Sequence, residues 1–186
     1  VFFGVGIQIR LQNQSGNFAE STDWQSMDPK DILVKILEAG IVGLGGATFP
    51  ANVKYQVPAD AKVEALVING VECEPYLTAD HRLMLEKSDE IFKGLDILDK
   101  VLKPEKIYIG IEANKPDAIE LLEKKAAEKG NRVEIVPLQL KYPQGDEKQL
   151  LKAVLGKEVP SGKLPIHIGA VVSNVGTVNA VYEAVA

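Results

Sequence analysis

The sequence predicts an α/β fold, a three-layer Rossmann-like parallel sheet with helices on both faces. Two observations carry that reading. From residue 64 onward, short apolar runs alternate with longer amphipathic ones. Connections of helical length join parallel strands, whereas antiparallel strands need only tight turns. The run Ala65-Leu66-Val67-Ile68 is also apolar throughout, the pattern of a strand buried on both faces.

Residues 5–12 alternate Val, Ile, Ile, Leu with Gly, Gln, Arg, Gln. That period of two predicts a strand with one wet face. Residues 13–27 are polar and contain glycine, which predicts a linker, so residues 1–27 are expected to be the tail of a preceding β module. Residues 28–186 are expected to form the α/β domain. It opens on a helix, with Asp28 as cap, Pro29 in the first turn, Ile32, Leu33, Ile36 and Leu37 as the buried stripe, and Gly40 as the stop.

A strand follows over residues 64–69 and a helix from Thr78 to Glu86. Ser88 is expected to cap the next helix, whose face carries Ile91, Phe92, Leu95, Leu98, Val101 and Leu102. Residues 106–111 read as a strand. Asn114 and Pro116 then start a helix that ends at Gly130. Strands over residues 132–136 and 166–172 and helices over 146–155 and 174–185 complete the pattern. No internal repeat or low-complexity segment interrupts it.

Composition removes several functions. Acidic residues outnumber basic ones 26 to 21, for a net charge of −5. No basic run interleaved with aromatics is present, which argues against nucleic-acid binding. Cys73 is the only cysteine and there are two histidines, too few for a disulfide or a self-contained zinc site. No apolar run is long enough to span a bilayer. The first residue is Val, so the sequence is expected to be part of a longer chain. Asn13-Gln14-Ser15 is a formal glycosylation sequon, taken as accidental in the absence of a secretion signal. No hydroxyl nucleophile with a base at recognisable spacing appears, which gives no support to hydrolase chemistry.

Four segments stand out. Gly43-Leu44-Gly45-Gly46-Ala47-Thr48-Phe49-Pro50 puts three glycines within four residues. It is either a tight turn or a loop that bares backbone N–H groups for an anion. It follows a helix rather than a strand, unlike an ordinary dinucleotide-binding fingerprint. Lys54 follows closely enough to support a phosphate. Asn69 to Tyr76 holds Glu72 and Glu74, two acids on one face if the chain is extended, and between them Cys73 should keep its proton. Tyr142-Pro143-Gln144-Gly145-Asp146-Glu147 places two acids at a helix start, as caps or as ligands. Asn174-Val175-Gly176-Thr177 opens the last helix and is a second candidate anion cradle. Ligands of parallel sheets sit beyond the carboxyl ends of the strands, where one cleft could hold all four segments.

Together these segments resemble the C subunit of the Rnf electron-transport complex, in the wider group of the flavin-bearing 51 kDa subunit of respiratory complex I. The resemblance rests on Ile41 to Pro50 with Lys54 and on Asn69 to Arg82, and it runs over residues 28–186. It implies the FMN-binding fold of that subunit. By match to the motifs, FMN would be held by Gly43, Gly45, Gly46, Lys54, Asn69, Glu72, Tyr142, Gly145, Asp146, Glu147, Asn174 and Thr177. NADH would meet Ala47, Phe49, Glu74 and Glu147. No side chain need act as acid or base.

The resemblance also implies partner subunits of a membrane electron-transport complex. The chain would sit at the periphery, on the cytoplasmic face of the cell membrane, with no span of its own. The iron–sulfur clusters are expected in a further C-terminal part. Departures from the complex I pattern are Leu44 for Arg, Val57 for an aromatic, Val71 for Asp, Asp146 for Glu and Gly176 for Glu. The flavin cradle is thus better matched than the NADH grip. Two other readings stay open: a related flavin electron-transfer protein of cobalamin or proline reduction, and a degenerate scaffold that only docks subunits.

Overall fold

The computed structural model describes residues 23–58 and 61–186. The strand predicted over residues 5–12 lies outside them. The elements run α1 (Pro29–Glu38), α2 (Ala51–Tyr55), β1 (Ala65–Gly70), α3 (Ala79–Glu86), α4 (Ser88–Leu102), β2 (Lys106–Glu112), α5 (Pro116–Glu128), β3 (Val133–Leu138), α6 (Glu147–Leu155), β4 (Ala170–Asn174) and α7 (Val175–Val185). The four strands are parallel in the order β3-β2-β1-β4. The chain moves outward from β1 to β3 and then returns to the other side of β1. The β1/β4 boundary is therefore the switch point, where the loops above the sheet diverge and leave a crevice.

Strand alternation sorts side chains into two layers. Leu66, Ile68, Ile107, Ile109, Ile111, Ile135 and Val171 join the large core beneath α1, α4, α5 and α7. Ala65, Val67, Leu138, Ala170 and Val172 join the smaller one, closed by Leu150 and Leu151 of α6. Helices thus cover both faces. The packing begins before residue 28: Trp24 and Met27 rest on the large core, and the Lys100 ammonium donates to the carbonyls of Trp24 and Gln25.

Side chains cap three helix starts. Asp28 accepts from Lys30 N–H, Asp146 from Lys148 and Gln149, and Asn174 from Gly176 and Thr177. Other boundaries differ. Ser88 is the first residue of α4 rather than its cap, and Lys115, not Asn114, holds the cap position of α5. Leu37 is exposed, whereas Ile32 and Ile36 are buried and Leu33 packs against the core. Residues 165–168 form a 3₁₀ turn rather than strand. Pro165 starts the turn, and Gly169, at φ +73°, redirects the chain into β4.

Candidate functional site

The register pairs Asn69 of β1 with Asn174 of β4. Two asparagines therefore stand side by side at the mouth of the switch point. A cleft of about 750 Å³ opens beside them, within the usual size of a ligand site. Its polar half is lined by Gly43, Gly45 and Ala47, by Asn69, by Gly145, Asp146 and Glu147, and by Asn174 and Thr177. Lys54 and Phe49 line it as well. Its apolar half runs along β4, past Val57, Pro58, Ile166, Ala170 and Val172. The four segments singled out in the sequence converge here.

The glycine loop is closed at its base and pinned at its tip. Gly43 N–H donates to Phe49 O at 2.8 Å and Ala51 N–H to Ile41 O at 3.0 Å. Leu44 N–H donates to the Thr177 hydroxyl at 2.9 Å. Gly45 lies flat on Asn174, where an added Cβ would stand 3.4 Å from the Asn174 Cβ. Gly46 has φ +112°, open to glycine alone among ordinary residues. The N–H groups of Gly45, Gly46 and Ala47 have no acceptor among the described residues. Such a run of bare amides at a cleft is a seat for an anion.

The start of α7 is a weaker seat than its sequence implies. Asn174 Oδ1 already accepts Gly176 N–H at 2.8 Å and Thr177 N–H at 3.3 Å. Asn174 Nδ2 donates to Asp80 Oδ2 at 2.7 Å and to Asn69 O at 3.5 Å. Burial raises the Asp80 carboxyl above its ordinary range, and the nearby Glu72 charge adds to this, against the Asn174 hydrogen bond. Asn174→Ala is expected to cost about 1 kcal/mol through the lost cap, read as the shift in urea midpoint. It should also free the glycine loop from its support and weaken anion binding in the cleft.

The Tyr142–Glu147 segment is fixed to the exit of β1. Asn69 Nδ2 donates to Gly145 O at 2.9 Å, and Gly145 N–H donates to Cys73 Sγ at 2.9 Å. A Cβ on Gly145 would meet that sulfur at 3.2 Å. Asp146 spends one carboxylate oxygen capping α6. Glu147 reaches back across the cleft to Lys54, Nζ to Oε1, at 3.4 Å.

Four of the expected residues do not line the cleft. Gly46 is exposed and acts on the loop through its positive φ. Glu74 and Tyr142 are exposed outside it. The Glu72 carboxylate turns away. It accepts Asp80 N–H at 2.8 Å and His81 N–H at 3.1 Å, capping α3 from outside the helix, and takes the Lys115 ammonium at 2.8 Å. Burial pushes its pKa up, but Lys115 and the two amides outweigh it and hold Glu72 below the usual carboxylate range. Lys115 also faces Glu112 Oε2 at 3.4 Å, and Glu112 Oε1 is buried with no partner among the described residues. Two buried carboxylates thus share one ammonium behind the site.

The sequence reading missed Lys115 and Glu112, and also Tyr55, which lines the cleft beside Ser173. Nothing in their sequence neighbourhood marks these pairings, and only the fold brings the residues together.

The arrangement fits FMN: bare amides and Lys54 for a phosphate, an apolar wall for a ring, and polar groups between them. The model of the Nuo51 FMN-binding domain family matches residues 36–183. The chain is 53% identical over 165 residues to the C subunit of the proton-translocating ferredoxin:NAD+ oxidoreductase complex of Clostridium ljungdahlii, covering 89% of this chain and 36% of that one. It is 52% identical over 159 residues to the C subunit of the Na+-translocating complex of Acetobacterium woodii, covering 86% and 36%. It therefore spans little more than a third of these relatives. Among solved structures, an NAD+-reducing [NiFe]-hydrogenase in the air-oxidized state superposes with a TM-score of 0.69 at 25% identity, over 83% of this chain and 30% of that one. With the family model matching most of its length, the chain belongs to the Nuo51 FMN-binding domain family.

Proposed function

We propose that the cleft holds FMN, with the phosphate on the glycine loop and the ring along the apolar wall beside β4, and that a nicotinamide dinucleotide enters past Phe49. The observation that carries this is the meeting of the acceptor-free amides of residues 45–47 with an apolar trough in one cleft. FMN held there would supply the redox chemistry, exchanging two electrons as a hydride on one side and single electrons on the other. The chain's own residues bind, orient and screen.

The glycine-loop amides and Lys54 balance the phosphate charge. Asn69 keeps its side chain rigid through Val71 N–H and Gly145 O, and it lines the cleft. Glu147 offers a carboxylate to ligand hydroxyls once Lys54 turns to the ligand. No residue is needed as acid or base, because hydride transfer requires alignment rather than proton movement.

In this reading the chain is the FMN- and NAD(H)-binding domain of a flavin-dependent NADH oxidoreductase subunit. It passes electrons between NAD(H) and iron–sulfur centres of an ion-translocating ferredoxin:NAD+ oxidoreductase. It would attach peripherally, through partner subunits, on the cytoplasmic side of the membrane. Among the described residues no helix is long and apolar enough to cross a membrane.

Titrating the 186-residue chain with FMN is expected to give saturable binding at micromolar concentration. Anaerobic NADH should then bleach the flavin absorbance. Failure to bind FMN overturns the proposal. Binding without bleaching would leave a cofactor-docking scaffold.

A further inference from the structure

Tyr55 and Ser173 face each other at the floor of the cleft. Tyr55 comes from the end of α2 and Ser173 from β4, and their hydroxyl oxygens are 2.7 Å apart. Both residues are almost completely buried, at 2% and 3% exposure, and both line the cleft. Two hydroxyls carry two hydrogens, and the contact between them uses one. Neither hydroxyl has a second partner among the described residues. A buried donor left without an acceptor costs about 1–3 kcal/mol. The second hydrogen therefore has only the cleft to turn to.

Resting on the flavin reading above, we propose that the Tyr55–Ser173 pair is a hydrogen-bond donor to the bound flavin ring, aimed at a carbonyl or an unprotonated nitrogen on its polar edge. The surroundings select a ring rather than a phosphate. On that face of β4 the pair's neighbours in the cleft lining are Val57 and Val171, both packed on the large core, where an anion would lose its hydration. The acceptor-free amides that suit a phosphate belong to residues 45–47, on a different loop. Burial pushes the Tyr55 phenol up to about 12, against the smaller opposing effect of the Ser173 hydrogen bond. The pair thus keeps both hydrogens across the physiological range. Because a phenol is the stronger acid, Tyr55 donates to Ser173 Oγ and the serine hydrogen is the one presented to the ligand. A donor at the ring's polar edge stabilises the negative charge that reduction places there, so the pair positions the ring and raises its potential.

The test compares the 186-residue chain with Ser173→Ala and Tyr55→Phe, near-isosteric changes whose folding is checked by the melting of the flavin-free proteins. FMN and riboflavin are the two probes. Ser173→Ala is expected to weaken both by the same factor, about 3- to 10-fold, as for one net hydrogen bond. It should also lower the midpoint potential and reduce the shift of the flavin absorption band on binding. Tyr55→Phe should give a smaller loss of the same kind, and it carries the test should Ser173→Ala fail to fold. Unchanged affinity, band position and potential in both folded variants overturn the donor assignment while leaving FMN binding intact. A loss for FMN but not for riboflavin also overturns it, because the pair would then be facing the phosphate. Absence of flavin binding in the unaltered chain overturns the flavin reading itself, and this inference with it.

Discussion

Replacing Lys115 by methionine is expected to cost about 3–5 kcal/mol of unfolding free energy, the penalty for stripping a buried ion pair of one partner. The side chains of Lys115, Glu72 and Glu112 are only 8%, 5% and 1% exposed. Methionine keeps the stem's volume, so the loss is electrostatic rather than a cavity effect. Glu72 would retain its two α3 amides. Glu112 Oε2 would be left with the Glu72 N–H at 3.4 Å. Both carboxylates would remain out of water beside each other.

The pH dependence identifies the cause. In the unaltered chain the Glu72 pKa is lowered, so its contribution is present above the unfolded value of 4.5 and is lost as pH falls through the folded one. Without Lys115 the burial that raises the Glu72 carboxyl loses its main counterweight, and the folded value rises. The loss relative to the unaltered chain then grows as pH rises through the Glu72 folded values. Urea unfolding should show the gap between the two proteins widest near pH 7 and narrowing toward pH 5. A gap that stays constant with pH would assign the loss to packing. Adding Glu112→Gln to Lys115→Met removes one unpaired charge and is expected to restore part of the stability. The two sites are in contact, so their effects should not add. Lys115 also reaches the cleft, through Glu72, the start of α3, Asp80 and Asn174. The variant should therefore bind FMN more weakly even where it is fully folded.

That relay shows where reading the sequence stops. The helices with caps, α1, α6 and α7, were legible because Asp28, Asp146 and Asn174 act on amides two or three residues away. The central strands were legible because burial on both faces leaves unbroken apolar runs. The five-residue α2 was not, because it is too short to show a helical period. Ile166 and Ile168 imitate a strand, and only Pro165 and Gly169 signal the turn between them. In the site, motif order predicted that the loops meet, and they do. It did not predict that Glu72 faces away, since its partner Lys115 lies 43 positions further along the chain and nothing nearby marks that lysine. The same holds for Tyr55 and Ser173, 118 positions apart.

Gly46→Ala is expected to cost the cleft its anion while leaving the fold in place. The glycine sits at φ +112° and a Cβ there would touch nothing within 4 Å, so the penalty is conformational rather than steric. Holding an L-residue in such a region costs about 1–3 kcal/mol. A surface loop can escape that cost by changing shape. The binding-competent shape then becomes a minor state, and affinity falls in proportion, by about 5- to 150-fold. The bare amides of residues 45–47 would then be presented differently to the ligand. Gly40→Ala provides the matched control. Gly40 also has positive φ, +66°, and open space around it, but it follows α1 and lies outside the loop that carries the acceptor-free amides. It should lose about 1–2 kcal/mol of stability and leave FMN binding unchanged. Titration of both variants with FMN and with riboflavin completes the argument, because the glycine loop is assigned to the phosphate. Gly46→Ala should lower FMN affinity far more than riboflavin affinity. Equal losses for the two flavins would move the phosphate off this loop, and equal effects of the two alanines would mean that the loop's shape does not matter to the ligand.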